Sequence, residues 1–159
     1  MLVYLGADHK GFALKQQIKA SLKSSGYQVI DLGNDRLDEN DDYPDFATLV
    51  AQKVSIDYEN SKGILICGSG VGMDMVANKF SKVRSVLAST PNQAFDSRND
   101  DDTNVLALGA NYLTIEDAKK IINVWLQTSF SREEKHLRRL QKISELEVKT
   151  LRILNETTE

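Results

Sequence analysis

The chain has 159 residues, of which 41% are hydrophobic, and a formal net charge of −3 from 20 Lys and Arg against 23 Asp and Glu. This size predicts one domain, residues 1–159, and the charge argues against bulk attraction to nucleic acid or to an anionic membrane. A single cysteine excludes an internal disulfide, and no apolar run approaches the roughly 20 residues that cross a bilayer. We therefore expect a cytoplasmic protein without nucleic-acid or membrane partners.

Short apolar runs alternate with amphipathic segments along the chain. In the first amphipathic segment Leu14, Ile18 and Leu22 are four residues apart with lysines between them, and Gly26 precedes the next apolar run. Several apolar runs lack polar alternation, which is typical of strands covered on both faces by helices. The pattern predicts a three-layer α/β fold with five parallel strands. The predicted strands are residues 2–5, 27–30, 63–67, 83–87 and 104–108, and the predicted helices are residues 12–22, 44–58, 71–80, 92–97 and 115–128.

The segment 31–45 is acidic and shows no apolar period. We interpret it as a solvated loop between the second strand and the second helix. Its carboxylates lack the regular spacing of a calcium-binding loop, so we expect no metal site in it.

Residues 131–159 form a charged segment that we predict to be a C-terminal helical extension. Its apolar residues recur at roughly helical spacing, and by then the predicted sheet is already covered by helices. The extension can pack on its own sheet or lie across a second subunit, and the second arrangement makes a homodimer plausible. The apolar stripe consists of Leu140, Ile143, Leu146, Leu151 and Leu154.

Chemically reactive residues and glycines follow three of the predicted strands, in the segments 6–11, 67–73 and 89–91. Ligands of open parallel α/β folds bind at the carboxyl ends of the strands, where these segments are expected to lie. The glycines of the second segment alternate as Gly68, Gly70 and Gly72, which allows backbone amides to face a ligand and stabilise an oxyanion. Their spacing matches neither a dinucleotide-binding loop nor a Walker A loop, and a purely structural turn is an equally good interpretation of the glycines alone.

Cys67 is expected at the end of a buried strand, beside the predicted start of a helix. A lone cysteine in a strand is usually a small core residue, but amide donors nearby can make its thiolate available as a base. Ser69 is positioned either to bind a substrate hydroxyl or to cap the helix. His9 follows Asp8 in a glycine-flanked loop, where it can donate to a ligand or simply pair with Asp8.

These segments closely resemble the ribose-5-phosphate isomerase B and galactose-6-phosphate isomerase family. The resemblance covers nearly the whole chain and implies a Rossmann-like fold, a homodimer or tetramer, and no metal or cofactor. It further implies that the chain interconverts an aldose and a ketose phosphate through an enediol, with ribose 5-phosphate and ribulose 5-phosphate as the first expectation. The resemblance is carried by residues 4–11, 27–33, 42–45, 63–73, 77–79, 97–98 and 103–109.

The resemblance also implies roles for individual residues. Cys67 matches the base that moves the proton, and Ser69 stands where the family usually has threonine. The backbone of residues 68–72 matches the amides that hold the enediolate. The substrate-binding residues implied at this edge are Asp8, His9, Tyr43, Gly68, Gly70, Val71 and Gly72.

The chain departs from the family pattern at several positions. Asp100 and Asp101 replace the ring-opening histidine and a following asparagine of ribose-specific members, and Asn111 replaces an arginine after the fifth strand. The segment 133–136 replaces a glycine-glycine-arginine-histidine sequence, so that Lys135 stands for an arginine. The planar guanidinium of arginine can donate two hydrogen bonds to one phosphate, whereas lysine offers a single compact charge. The replacement therefore weakens the expected binding of phosphate.

These departures leave two alternatives beside the ribose enzyme. An acidic residue at position 100 is reminiscent of one subunit type of galactose-6-phosphate isomerase, and a non-catalytic sugar-phosphate binder is the other possibility. Asp100 can serve in ring opening only if burial or its acidic neighbours raise the pKa of its carboxyl group. We expect a site shared between subunits, with Cys67, Ser69 and Asp8 from one chain and Asp100 or the cationic cluster 135–139 from the other. Asp101, Lys135 and Arg139 are further expected substrate-binding residues.

Overall fold

A computed structural model describes the backbone of residues 1–156 and the side chains of residues 1–150. Strands and helices alternate along most of this length, as the hydrophobic pattern predicts, and the ends of the elements differ from the predicted ones by a few residues. The strands are β1 (Leu2–Ala7), β2 (Gln28–Asp31), β3 (Ser61–Cys67), β4 (Ser85–Leu87) and β5 (Val105–Gly109). The helices are α1 (Phe12–Ser24), α2 (Tyr43–Ile56), α3 (Val71–Ala77), α4 (Pro91–Asp101), α5 (Ile115–Gln127) and α6 (Glu134–Glu156).

The five strands form one parallel sheet in the order β2-β1-β3-β5-β4. Strand β3 lies at the centre, where Ala7 of β1 is in register with Ile66 and Gly109 of β5 is in register with Cys67. The three-layer, Rossmann-like α/β prediction is thereby confirmed. Because all strands run in one direction, their carboxyl ends share one edge of the sheet, and each crossover helix returns the chain to the opposite, amino edge.

Two separate apolar cores cover the two faces of the sheet. On one face α1 and α5 pack on the strands, with Ile18, Ile121 and Trp125 fully or almost fully buried. On the other face α2 and α3 supply Val50 and Met73 among other buried residues. Burial on both faces explains why the central strands read as continuous apolar runs in the sequence.

The acidic segment 31–45 is less solvated than predicted. Most of its residues are exposed, but the side chain of Asp31 is 6% exposed and that of Asp41 is 7% exposed. Asp31 accepts from the fully buried Lys15 at 2.9 Å and from Lys19 at 2.8 Å. The solvated-loop interpretation is therefore wrong for these two carboxylates, because cations and donors distant in the sequence fold against them.

The C-terminal extension forms α6, as predicted. Its first turn is anchored by buried His136, whose Nδ1 lies 2.7 Å from the hydroxyl of Ser131. Further along, Glu147 accepts from the Ser81 hydroxyl at 3.0 Å, while Ile143 and Leu146 remain exposed. The side chains of the predicted stripe residues Leu151 and Leu154 lie outside the described residues. Residues 157–159 of the extension lie outside the described backbone. Within the described residues, none of the helices combines the length and apolarity needed to cross a membrane.

Candidate active site

Cys67 is the last residue of β3 and lies at the carboxyl edge of the sheet, as predicted. Its side chain is buried, and its Sγ atom accepts a hydrogen bond from the Gly70 amide at 3.1 Å. Its carbonyl accepts from the Ala110 amide at 2.8 Å, which ties the loop after β5 to the end of β3. The thiol is therefore held between two loops at the edge where ligands of this fold class bind.

The glycine loop after Cys67 turns sharply into α3. Gly70 has a φ angle of +79°, and a Cβ atom at this position would contact the Leu87 side chain and lie 3.0 Å from the Leu108 carbonyl carbon. The left-handed conformation and the close packing together require glycine. Helix α3 has only seven residues, so the local amides rather than a long helix dipole supply the donors of this loop.

Tyr43 and Ser69 flank the same loop. A Cβ atom at Gly72 would lie 2.6 Å from the Tyr43 ring, so that the bare glycine backbone allows the ring to approach. The Ser69 hydroxyl accepts from the Val71 amide at 3.3 Å and remains exposed. Gly70, and not Ser69, is the N-cap residue of α3, so Ser69 contacts the first helical amide from the position before the cap. Its exposure leaves the hydroxyl accessible to a ligand.

Asp8 and His9 follow β1, next to Cys67 across the β1–β3 pair. Neighbouring strands are about 4.8 Å apart, and the register of Ala7 with Ile66 places Asp8 beside Cys67. The buried carboxylate of Asp8 accepts from the Gly11 amide at 2.9 Å and closes its own turn. Asp8 does not pair with the His9 ring, in contrast to the simplest interpretation of the sequence.

The partner of His9 is Asp41. One carboxylate oxygen of Asp41 accepts from the His9 backbone amide at 2.9 Å and lies 2.7 Å from the ring atom Nδ1. The other carboxylate oxygen accepts from the Asn34 side-chain amide at 3.1 Å. The hydrogen bond with Asp41 raises the pKa of His9, against a smaller opposing effect of burial. A cationic imidazole is thereby favoured at the mouth of the site.

Asp41 is a site residue that the sequence did not reveal. It lies 32 residues from His9 in a segment without periodic structure, and other acidic residues surround it. The sequence holds no local signal that separates Asp41 from its exposed neighbours, because its burial depends on how the loop folds back over β1.

The second group of predicted residues lies at the opposite, amino edge of the same chain. Asp101 is the last residue of α4, and the chain then passes to β5, whose last residue pairs with Cys67. Five residues of strand span about 13 Å, so Asp100 and Asp101 cannot contact the thiol of their own chain. The Asp100 carboxylate instead lies 3.7 Å from the Nε2 atom of His136.

Lys135 and Arg139 stay with Asp100 at this edge because they occupy the first turns of α6, on either side of His136. Lys135 pairs with Glu133 at 3.0 Å, which lowers the pKa of that carboxyl group. Arg139 is exposed. One chain thus carries two separate clusters: a thiol edge with Cys67, Ser69, Asp8, His9, Tyr43 and the glycine loop, and a helix-end cluster with Asp100, Asp101, Lys135 and Arg139.

Comparison with known proteins identifies the family of the chain. A sequence model of the family described as Ribose/Galactose Isomerase matches residues 3–143. The chain is 42% identical to ribose-5-phosphate isomerase B of Escherichia coli over 145 residues, covering 91% of this chain and 95% of that protein. It is 40% identical to the probable ribose-5-phosphate isomerase B of Mycoplasma genitalium over 148 residues, covering 93% and 97%.

Solved structures show the same relationship. Ribose-5-phosphate isomerase B from Mycoplasma genitalium with bound ribulose-5-phosphate superposes with a TM-score of 0.89 at 40% identity, covering 92% of this chain and 95% of that chain. The corresponding protein of Clostridium thermocellum also gives 0.89, at 38% identity, covering 94% and 99%. The resemblance found in the sequence is confirmed, and the chain belongs to the ribose/galactose isomerase family.

Proposed function

We propose that the chain is a sugar-phosphate isomerase that interconverts ribose 5-phosphate and ribulose 5-phosphate, with Cys67 as the base. The carrying observation is the buried thiol at the end of β3, held by the Gly70 amide beside Asp8 and the glycine loop. A relative at 40% identity binds ribulose-5-phosphate and matches this chain over 92% of its length, which supports the choice of substrate.

In the proposed reaction, Cys67 acts as a thiolate and removes a proton from the carbon next to the sugar carbonyl. The bonding electrons move onto the carbonyl oxygen and give an enediolate, which the amides of residues 68–72 stabilise. The hydroxyl proton on the neighbouring carbon passes to the former carbonyl oxygen, a new carbonyl forms there, and the thiol returns its proton to the carbon that bore the original carbonyl. The sugar as a whole is neither oxidised nor reduced, so the step balances without a redox cofactor.

The residues at the mouth of the thiol edge are assigned to substrate binding. The pKa of His9 is raised by its hydrogen bond with Asp41, which favours the cationic ring and suits an anionic group of the sugar phosphate. Tyr43 and Ser69 border the same space and offer exposed hydroxyl groups. Asp8 is placed to contact a sugar hydroxyl beside Cys67.

The other half of the site is proposed to come from a second copy of the chain. Ring opening by Asp100 and phosphate binding by Lys135 and Arg139 require these residues to approach a thiol, and their own thiol lies at the opposite edge of the sheet. Asp101 lies in the same helix-end cluster. A homodimer that seats this cluster on the partner's thiol edge completes the site.

A six-carbon substrate is the second candidate, favoured by one observation. Asp100 stands where ribose-specific members of the family have histidine, and its carboxylate lies 3.7 Å from the Nε2 atom of His136. We therefore include galactose 6-phosphate in the assay. Binding of both sugar phosphates without turnover would instead identify a non-catalytic binder.

The direct test is steady-state turnover of ribose 5-phosphate and galactose 6-phosphate by the wild type and Cys67→Ala. Removal of a catalytic base typically lowers kcat by about 100- to 10,000-fold, so we expect loss of this size with ribose 5-phosphate and an unchanged melting temperature within a few degrees. Undiminished turnover by Cys67→Ala would remove the thiol from the mechanism. A higher kcat/KM with galactose 6-phosphate would change the assigned substrate and leave the mechanism intact.

The shared site is tested by subunit exchange between two inactive variants, Cys67→Ala and Arg139→Ala. In a mixed dimer, one site carries both changes and the other carries neither. Random exchange of equal amounts should thus restore about a quarter of the wild-type activity. Mixing Cys67→Ala with His9→Ala is the matched control, because both lesions lie on the thiol edge and no intact site can form. Absence of recovery after verified exchange with Arg139→Ala would contradict the shared site.

A further inference from the structure

A polar cleft lies at the amino edge of the sheet, away from the thiol edge. It encloses about 730 Å³ between the beginning of β3, the end of α4 and the end of α5. We call it the amino-edge cleft. Among its charged lining residues, Glu59 and Arg132 are exposed, whereas Lys62, Arg84, Arg98 and Asp102 are partly or fully buried.

Two arginines in the cleft share one carboxylate. Arg84 lies 2.9 Å from one oxygen of Asp102, and Arg98 lies 2.6 Å from the other. The same guanidinium groups also donate to backbone carbonyls, Arg84 to that of Asp102 and Arg98 to those of Thr103 and Thr128. These bonds hold both arginines near the ends of α4 and α5. The carboxylate of Asp102 neutralises only one of the two guanidinium charges.

Lys62 adds a third positive charge to the cleft. It is the second residue of β3 and is half-buried, and among the side chains of residues 1–150 its ammonium group has no ion pair or hydrogen bond. Burial lowers the pKa of Lys62, and the charges of Arg98 and Arg84 lower it further against the opposing effect of Asp102. Helix capping accounts for the two arginines, but it does not account for a lysine on a strand that points into the same cleft.

We propose that the amino-edge cleft binds a phosphate-bearing small molecule, with Lys62, Arg84 and Arg98 as its ligands. The lining carries four cationic side chains against two carboxylates, which concentrates positive potential in a concave site, and guanidinium and ammonium donors together suit phosphate oxygens. The volume is that of a small-molecule site rather than of a single ion. The length of β5 keeps the cleft about 13 Å or more from Cys67 of the same chain, and none of Lys62, Arg84 and Arg98 is assigned a role in the proposed reaction.

The experiment is a titration of inorganic pyrophosphate into the ¹⁵N-labelled full-length protein, followed by NMR. We expect amide shifts at Lys62, Arg84 and Asp102 that saturate with their own affinity, independently of any shifts in residues 67–72. Lys62→Gln should weaken the binding reported by the cleft residues by about tenfold or more, since a charge-assisted hydrogen bond is lost. Lys62→Arg keeps the positive charge and should retain binding. This result would show that the weaker binding of Lys62→Gln comes from the lost charge and not from a disturbed fold.

Lys120→Gln is the matched control, because Lys120 is an exposed lysine of α5 and the change in net charge is the same. It should leave the affinity of the cleft unchanged. The proposal is overturned if the cleft residues do not shift, if Lys62→Gln binds like the wild type, or if Lys120→Gln weakens binding as strongly as Lys62→Gln does. None of these outcomes depends on isomerase activity.

Discussion

Replacing Gly70 by alanine should damage both the stability of the protein and the thiol site. Gly70 has a φ angle of +79°, and its added Cβ would meet Leu87 and the backbone of Leu108. The Gly70 amide is also the donor to the Cys67 sulfur. Any backbone movement that relieves the contact therefore moves this amide away from the thiol.

The magnitude follows from two separate costs. A side chain in the left-handed region costs about 1–2 kcal/mol, and forcing a methyl group into a packed site adds about 1–3 kcal/mol. The sum is about 3 kcal/mol, or a decrease in Tm of about 6–12 °C for a chain of this size. Gly26→Ala is the matched control, because Gly26 has a φ angle of +85° and nothing lies within 4 Å of its added Cβ. It carries the first cost alone, about 1–2 kcal/mol.

Thermal unfolding and steady-state kinetics of the two variants measure these effects. We expect Gly70→Ala to lose more stability than Gly26→Ala and to lower kcat by about 100-fold, as displacements of about 1 Å in an active site can. Gly26→Ala should keep wild-type kinetics because Gly26 is not assigned to either part of the site and its added Cβ contacts nothing. Equal stability losses together with full activity of Gly70→Ala would refute both the close packing and the role of the amide.

Two further predictions concern charged groups. Asp41→Asn should lower the raised pKa of His9. In the wild type, the stability contributed by protonated His9 is fully present below its unfolded pKa and lost as pH rises through its folded pKa, so in the variant this loss should occur at a lower pH. An NMR titration of the ring detects the shift, and an unchanged pKa would contradict the pairing. Burial raises the pKa of Asp31, but Lys19 and Lys15 lower it by more. The stability that ionised Asp31 contributes should therefore be lost as pH falls through the lowered pKa. Lys15→Met should lower the free energy of unfolding by about 3 kcal/mol, measured with denaturant at neutral pH. A loss within error would show that Lys19 alone suffices.

The fold could be predicted from the sequence because its signals are local. The continuous apolar run that ends in Cys67 and the four-residue spacing of Leu14, Ile18 and Leu22 each identify one element without knowledge of its neighbours. The alternation of strands and helices then fixes a parallel sheet, since right-handed crossovers leave few other topologies. The helix that contains Asp100 runs four residues beyond its predicted end because Arg84 and Arg98 hold the carbonyls and the carboxylate at its C-terminus.

The contacts of the site were harder to predict because they join distant parts of the chain. The sequence left open whether His9 contacts a ligand or pairs with Asp8, whereas the structure pairs His9 with Asp41 and leaves Asp8 to close its own turn. Adjacent residues after a strand point in different directions, so neighbours in the sequence are poor candidates for partners. The burial of Asp41 comes from the fold of an irregular loop, for which neither periodicity nor capping patterns apply.

The distance between Cys67 and Asp100, in contrast, follows from the topology alone. A residue at the end of a parallel strand lies at the carboxyl edge, and the helix that follows a strand carries the chain back to the amino edge. Cys67 ends a strand and Asp100 lies at the end of a helix, so the two occupy opposite edges in any packing of this sheet. Two such residues act on one substrate only if they come from different chains. The proposal of a second copy thus rests on the direction of the strands and on the proposed role of Asp100, before any property of the interface is considered.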